Sequence, residues 1–346
     1  MNNFKKLALP VLITLPLNAF AAEPVKISGL MQIDASFGKD YADNSASDII
    51  LRKIELGLDS QINERTAMHI LMEHEDGMSG MDVTEGNITL DLTNGWYLRG
   101  GRMVVPFGVF ETNMITDTLT KAVGEAHEDA LQIGYGGEEG LYGSLYAFNG
   151  DTIETSTFNK GDDTIGHFGA SIGYLFKSSE MSLDIGADYI SSMADADSLF
   201  DGLSLNTDSN GDAIGDTATL DSYVSGLALH GIYSNGSWSA VVEYLKADKF
   251  QVGELAFNGQ GAEPSATNIE AAYSFDWGTL ALSYQTMDET QALGLPESRV
   301  TVGAATDLFE NTTLKVEYAQ DDDYSTTVGG TGNDASNLTF QLATTF

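Results

Sequence analysis

Apolar and polar residues alternate with a period of two in segments that recur along almost the whole chain. In 277–287, Leu280, Leu282 and Tyr284 share one side and Thr279, Ser283 and Gln285 the other. In 180–191, Met181, Leu183, Ile185 and Tyr189 oppose Ser182, Asp184 and Asp188; in 311–320, Leu314, Val316 and Tyr318 oppose Lys315 and Glu317. Side chains of a strand point alternately to its two faces, so this period predicts two-faced strands. Sixteen are predicted, near 25–37, 48–60, 64–75, 81–92, 95–105, 127–136, 140–149, 164–176, 180–191, 221–233, 237–247, 265–275, 277–287, 298–307, 311–320 and 336–346. Segment 140–149 is aromatic on one side and aliphatic on the other, a pattern that does not orient it.

The connections alternate short and long. Short ones are 61–63, 93–94, 137–139, 177–179, 234–236, 276 and 308–310; long ones are 38–47, 76–80, 106–126, 150–163, 192–220, 248–264, 288–297 and 321–335. An even strand count with this parity is the pattern of an antiparallel transmembrane β-barrel, with short turns on the periplasmic side and long loops outside. The apolar faces would then meet lipid and the polar faces a wet lumen rather than a packed core. No segment beyond the N-terminal region is apolar for long enough to form a spanning helix, and a barrel needs none.

The two ends fit the same reading. Lys5 and Lys6, an apolar run from Leu7 to Leu17 and Ala19-Phe-Ala21-Ala22 form the charged, apolar and small-residue parts of a secretory signal. Residues 1–22 are therefore expected to be the leader and 23–346 one barrel domain. At the other end Leu338, Phe340, Leu342 and Phe346 lie on one face of a last strand that ends in an aromatic residue.

Charge adds a second constraint. The formal net charge is −35, and about −37 once Lys5 and Lys6 leave with the leader. Such a surface repels nucleic acid and attracts cations, and long acidic loops suit divalent cations bridging to lipopolysaccharide. With Cys 0, disulfides and thiolate sites are excluded. Nothing calls for a cofactor. Outer-membrane lipid, lipopolysaccharide and small solutes are the expected partners, and a homotrimer is compatible with the pattern.

The candidate chemistry lies around 95–128. Gly100-Gly101 inside a strand predicts a bulge that would bring Arg99 and Arg102 to one face. Segment 106–126 is too apolar for a solvated loop and is expected to fold inward and narrow the barrel. Basic residues Arg52, Lys53, Arg65, Arg99 and Arg102 fall on the second, third and fifth strands, and the loop carries Glu111, Asp117 and Glu125. One reading sets a basic wall against an acidic loop, a transverse field at a pore constriction. The other pairs these bases locally with Glu55, Glu73 or Glu85.

Arg102-Met-Val-Val-Pro106-Phe107-Gly108-Val-Phe110-Glu111-Thr112-Asn113-Met114-Ile115-Thr116-Asp117 resembles the GR-x-x-VPFG-x-FETNMI-x-D segment of the outer-membrane siderophore porin family of the LbtU type. Ile54–Asp59, Leu131–Tyr135 and Tyr146–Gly150 are similar to that family too, so the resemblance is strongest over 48–150. It implies a channel that admits ferric siderophores or similar solutes.

Other signals are sparse. His69, His74, His127, His167 and His230 are scattered and mark no metal site. Asp208-Ser-Asn210-Gly211-Asp212 with Asp216 resembles a calcium-loop fragment without its flanking helices. No nucleophile-base order stands out, so an enzyme is not expected. The sequence favours a passive pore, with a cation-preferring general porin as the nearest alternative and a barrel adhesin or enzyme behind it.

Overall fold

The computed structural model describes residues 24–78, 80–154, 165–203, 206–207 and 217–346. The proposed leader and the Asp208–Asp216 fragment lie outside them. Sixteen antiparallel strands close into one barrel: β1 Lys26–Lys39, β2 Ser45–Asn63, β3 Thr66–Glu75, β4 Asp82–Thr93, β5 Trp96–Val104, β6 His127–Tyr135, β7 Gly140–Phe148 and β8 His167–Lys177, then β9 Ser182–Ile190, β10 Gly226–Asn235, β11 Trp238–Ala247, β12 Ser265–Phe275, β13 Gly278–Asp288, β14 Ser298–Phe309, β15 Thr312–Asp322 and β16 Asp334–Thr345. Each pairs with its neighbour in sequence, and β16 pairs with β1. Closure satisfies the ladder donors and acceptors within the sheet, which a lipid environment requires. Short turns and long loops alternate as the sequence predicts.

The apolar stripes point outward. Leu280, Leu282 and Tyr284 on β13 are exposed, whereas Ser283 and Gln285 are buried. In water that exposure would be costly; in hydrocarbon it is the favourable arrangement. All three tryptophans, Trp96, Trp238 and Trp277, lie at the short-turn end of the barrel. There Trp96 packs against Tyr135 and Trp277 stacks on Phe275, each with ring centroids 5.3 Å apart. This is an interfacial aromatic girdle. Phe346 closes the seam at the same end: its backbone exchanges hydrogen bonds with Gly29, whose missing side chain leaves room for the Phe346 ring.

Strand β7, which the pattern left unoriented, places Leu141 and Leu145 toward lipid and Tyr142, Tyr146 and Phe148 inside. The reason lies on the neighbouring strand. Tyr146 pairs with Gly169 and Tyr142 with Gly173, and a Cβ at either glycine would fall 2.1–2.2 Å from the facing tyrosine ring. The glycines let the rings lie flat on the sheet, so aromatic bulk covers backbone that glycine leaves bare.

Two expectations fail. The ladder runs unbroken through Gly100 and Gly101 on both sides of β5. With no bulge, Arg99 stays opposite Gln132, whose side chain is buried inside, and Arg102 pairs with Asp129 on the other face. A register shift occurs instead on β2, where Arg52 is the extra residue beside the Gln32–Lys53 pair. The interior is also not wholly wet. A continuous apolar cluster fills the loop-side part of the barrel, joining Met103, Phe107, Leu119 and Val123 to Phe148, Ile190, Leu199, Phe200, Leu220, Leu245, Phe250 and Leu255. The long loops supply most of it because they too carry apolar residues, each worth about 1.5–3 kcal/mol when fully buried.

Candidate functional site: the constriction loop and the aperture it leaves

The connection 105–126 folds into the barrel, as its composition predicts, and crosses to the far wall. Its backbone donors would be stranded there without acceptors. The wall supplies them as carboxylates, one strand after another. Gly108 N–H donates to Asp188 on β9 at 3.1 Å and Val109 N–H to Glu243 on β11 at 2.6 Å. Asn113 donates through both its backbone and its side chain to Glu270 on β12, at 2.8 and 2.7 Å, and Thr112 Oγ1 donates to the same carboxylate at 2.6 Å. Ile115 and Thr116 donate to Glu317 on β15. Leu119 N–H reaches Gln285 on β13 at 2.6 Å.

Glu243, Glu270 and Glu317 are at most 2% exposed. A buried carboxylate is costly unless it is hydrogen-bonded, and bonds to charged acceptors are the stronger kind, so loop and wall stabilise each other. Local geometry makes the first contact possible. Gly108 at φ +83° and Phe110 at φ +50° bend the chain so that the Val109 and Phe110 N–H groups converge on Glu243 Oε1. A Cβ at Gly108 would lie 2.5 Å from the Phe110 ring.

The loop continues into helix α1, Leu119–Gly124, capped by Thr118 Oγ1 accepting from Lys121 N–H at 3.1 Å. Its buried face joins the apolar cluster. Its other face carries Asp117, Lys121 and Glu125, with Lys121 Nζ 3.2 Å from Asp117 and 3.4 Å from Glu125. Burial works against the Lys121 ammonium, but Glu125 and Asp117 outweigh it and hold its pKa above the usual value. Burial pushes the Glu125 carboxyl up; Lys121 and His127 oppose this, and Asp197 and Asp117 add to it.

Because the loop is fastened to β9–β15, the inner face of β2 and β3 stays uncovered. There Lys53 Nζ sits 3.3 Å from Glu55, 3.0 Å from Glu73 and 2.5 Å from Glu75. These side chains remain partly exposed, and the charge of Lys53 reaches Lys121 on the loop. Two charged surfaces therefore remain uncovered inside the barrel: Lys53 with Glu55, Glu73 and Glu75 on β2–β3, and Lys121 with Asp117 and Glu125 on the outer face of α1.

Asp117 and Glu125 flank Lys121 on the loop, Lys53 stands on the wall with three carboxylates, and Arg99 is on the inner face of β5, where its Nε donates to Thr89 Oγ1 at 3.3 Å. Arg52 lies near Asp34 on β1. Arg65 is a correction: it is exposed in the turn between β2 and β3 and not on a strand. Arg102 is the other, turned away by the unbroken register, although its charge reaches Asp151. Glu111 is exposed on the loop. For Lys53 local pairing holds, with Glu75 taking the place expected of Glu85. The latching acids Glu243 and Glu270 escaped the sequence reading, which put Asp188 and Glu317 on the polar face without assigning them a role. The signal available was a glutamate in the inward register of two adjacent strands.

His167 and Asp195 lie near Ser192 and Thr152, a grouping that could suggest a nucleophile and base. His167 Nε2 faces the Thr152 carbonyl at 3.1 Å, and all four residues are at most 3% exposed, so the cluster fastens two loops together. Asp195 accepts from the backbone of Asp151 and Thr152 at 2.8 and 2.7 Å.

A closed 16-stranded barrel with an inward-folded third long loop and an apolar outer belt is an outer-membrane protein of porin architecture. The solved structures it resembles agree. It is similar to the outer-membrane channel DcaP of Acinetobacter baumannii, with a TM-score of 0.61 and 11% identity over 95% of this chain and 100% of that one. Salmonella typhi OmpF gives 0.60 and 14%, over 93% and 97%. OmpT, an outer membrane protein of Vibrio cholerae, gives 0.58 and 13%, over 93% and 97%. At these identities the likeness is one of fold. In sequence the chain is 27% identical over 328 residues to a UPF0422 protein of Coxiella burnetii and 24% over 325 residues to one of Legionella pneumophila strain Lens. It spans 66% and 60% of the length of these relatives. No family model matches.

Proposed function

We propose that this chain forms a diffusion channel of the outer membrane for small polar solutes, with a preference for cations. The observation that carries the proposal is the aperture between Lys53, Glu55, Glu73 and Glu75 on the wall and Asp117, Lys121 and Glu125 on the latched loop. Five carboxylates against two ammonium groups leave negative charge where a solute must pass, and a low-dielectric surround strengthens its effect. In this reading the channel is passive, and passage is down a gradient.

A ferric siderophore is the finer solute, supported by the resemblance of segment 102–117. In this barrel, residues 108–116 of that segment spend their polar groups on the wall, so the motif encodes the anchoring of the loop. Solute choice then falls to the outer face of α1 and to β2–β3. A homotrimer is part of the proposal, in line with a trimer form of Vibrio cholerae OmpT, which this chain resembles with a TM-score of 0.55 and 12% identity.

Single-channel recording in planar bilayers tests the reading. Stable conductance steps with a reversal potential favouring cations across a salt gradient are expected, and block by a ferric siderophore would establish the finer solute. A folded, heat-modifiable barrel that conducts nothing would overturn the channel itself.

A further inference from the structure

At the end of the constriction loop three donors from two chain segments converge: a Glu125 carboxylate oxygen, a His127 ring nitrogen and an Asp197 carboxylate oxygen all lie within 4.8 Å of one another. The backbone sets them there. Asp197 N–H donates to the Glu125 carbonyl at 2.8 Å, and His127 N–H donates to Asp197 Oδ1 at 3.2 Å. These bonds tie the first turn of the short helix α2, Asp197–Asp201, to the entry of β6, although 70 positions separate them.

We propose that Glu125, His127 and Asp197 bind a borderline divalent transition-metal ion, of the Zn2+ kind, at the mouth of the aperture. An ion central to donors so spaced lies roughly 2–3 Å from each, and modest side-chain rotation reaches metal–ligand bond lengths. One imidazole with two carboxylates is a donor set that divalent transition metals accept, and water completes the coordination. The His127 Nδ1 contact to Asp197 Oδ2 at 2.8 Å holds a proton where the ion would sit, so binding replaces that proton. The surrounding charge favours the exchange. Asp117 and Glu85 lie near and favour a cation, against the charge of Lys121. The imidazole sets this group apart from the many acidic patches of the chain, because hard ions such as Mg2+ gain little from it. A bound ion would pin α2 to the constriction loop and add positive charge beside Lys121.

Calorimetric titration of Zn2+ into the full barrel, purified from outer membranes in detergent and freed of metal, tests this with Mg2+ in excess to occupy simple acidic patches. One saturable site per chain is expected. His127→Ala and, independently, Asp197→Asn should weaken it at least about tenfold, since even outer-shell changes commonly cost that much. Heat-modifiable mobility of each variant certifies folding. No stoichiometric uptake by the wild type, or equal uptake by both folded variants, would overturn the site. Titration requires no conductance, so its failure is distinct from failure of the channel reading.

Discussion

Val109 in the constriction loop donates its backbone N–H to Glu243 on β11 across 134 positions of chain, at 2.6 Å. The second oxygen of the same carboxylate accepts from Thr120 Oγ1, also at 2.6 Å. One buried side chain thus fixes the loop at two points, before and within α1. Glu270 and Glu317 repeat the device farther round the wall. A loop held this way is a fixed part of the barrel interior, and its outer face has one position relative to β2 and β3.

Glu243→Ala leaves the Val109, Phe110 and Thr120 donors without their acceptor. The loss in loop stability should be roughly 2–4 kcal/mol, since each stranded donor costs on the order of 1 kcal/mol or more. The barrel ladder is untouched, so heat-modifiability should persist while single-channel steps become larger and noisier. Steps identical to wild type in size and noise would show that the latch does not set the aperture.

The aperture charges predict selectivity. Neutralising two of the three carboxylates around Lys53, in Glu73→Gln/Glu75→Gln, removes negative charge from the wall and leaves the lysine less compensated. Reversal potentials across a salt gradient should move toward anion preference, and more strongly at low ionic strength, where screening is weak. An unchanged reversal potential would place the selectivity elsewhere in the lumen.

Gly169→Ala tests the ring-on-backbone packing of β7 and β8. Its Cβ would fall 2.1 Å from the Tyr146 ring, which is itself confined beneath Phe148. Overpacking of this sort costs typically about 1–3 kcal/mol, and folding yield should fall accordingly. Adding Tyr146→Ala should restore much of that loss by opening the space. Failure of the second change to relieve the first would mean that the clash is not what penalises alanine.

Asp151 predicts a pH dependence. Burial and the neighbouring Asp195 push its carboxyl up to about 6, against the partial relief given by Arg102. The folded state therefore holds this proton more tightly than the unfolded one. The associated stability is fully present below the ordinary aspartate range and is lost as pH rises through about 6. Asp151→Asn mimics the protonated form. It should raise the unfolding midpoint relative to wild type at pH 7, by on the order of 1 kcal/mol after screening at this partly solvated position, and by less at pH 4. A difference independent of pH would refute the shifted proton.

Much of the barrel was legible because its physics is local. Leu280, Leu282 and Tyr284 declare a lipid face through period two alone, and the alternation of short turns such as 234–236 with loops such as 248–264 marks the sidedness. The inward fold of 106–126 was legible from its apolar residues. Its anchoring was not, because the donors are backbone N–H groups, which almost every residue has, and the acceptors lie up to 202 positions away. The pairing of Tyr146 with Gly169 and the meeting of His127 with Asp197 were hidden for a related reason, since a pattern records which face a residue occupies and not what stands across from it.

By itself the sequence determined an outer-membrane barrel of sixteen strands, its polarity and the loop that narrows it, because hydrophobic alternation and chain connectivity are properties of neighbouring residues. Only the tertiary structure decided that the loop-side interior is packed. It also decided that Arg65 lies in a turn, that Arg102 points outward and that Lys53 and Lys121 lie within electrostatic reach of each other. Those outcomes depend on register and on the path of the loop, which follow from contacts between residues far apart in the chain.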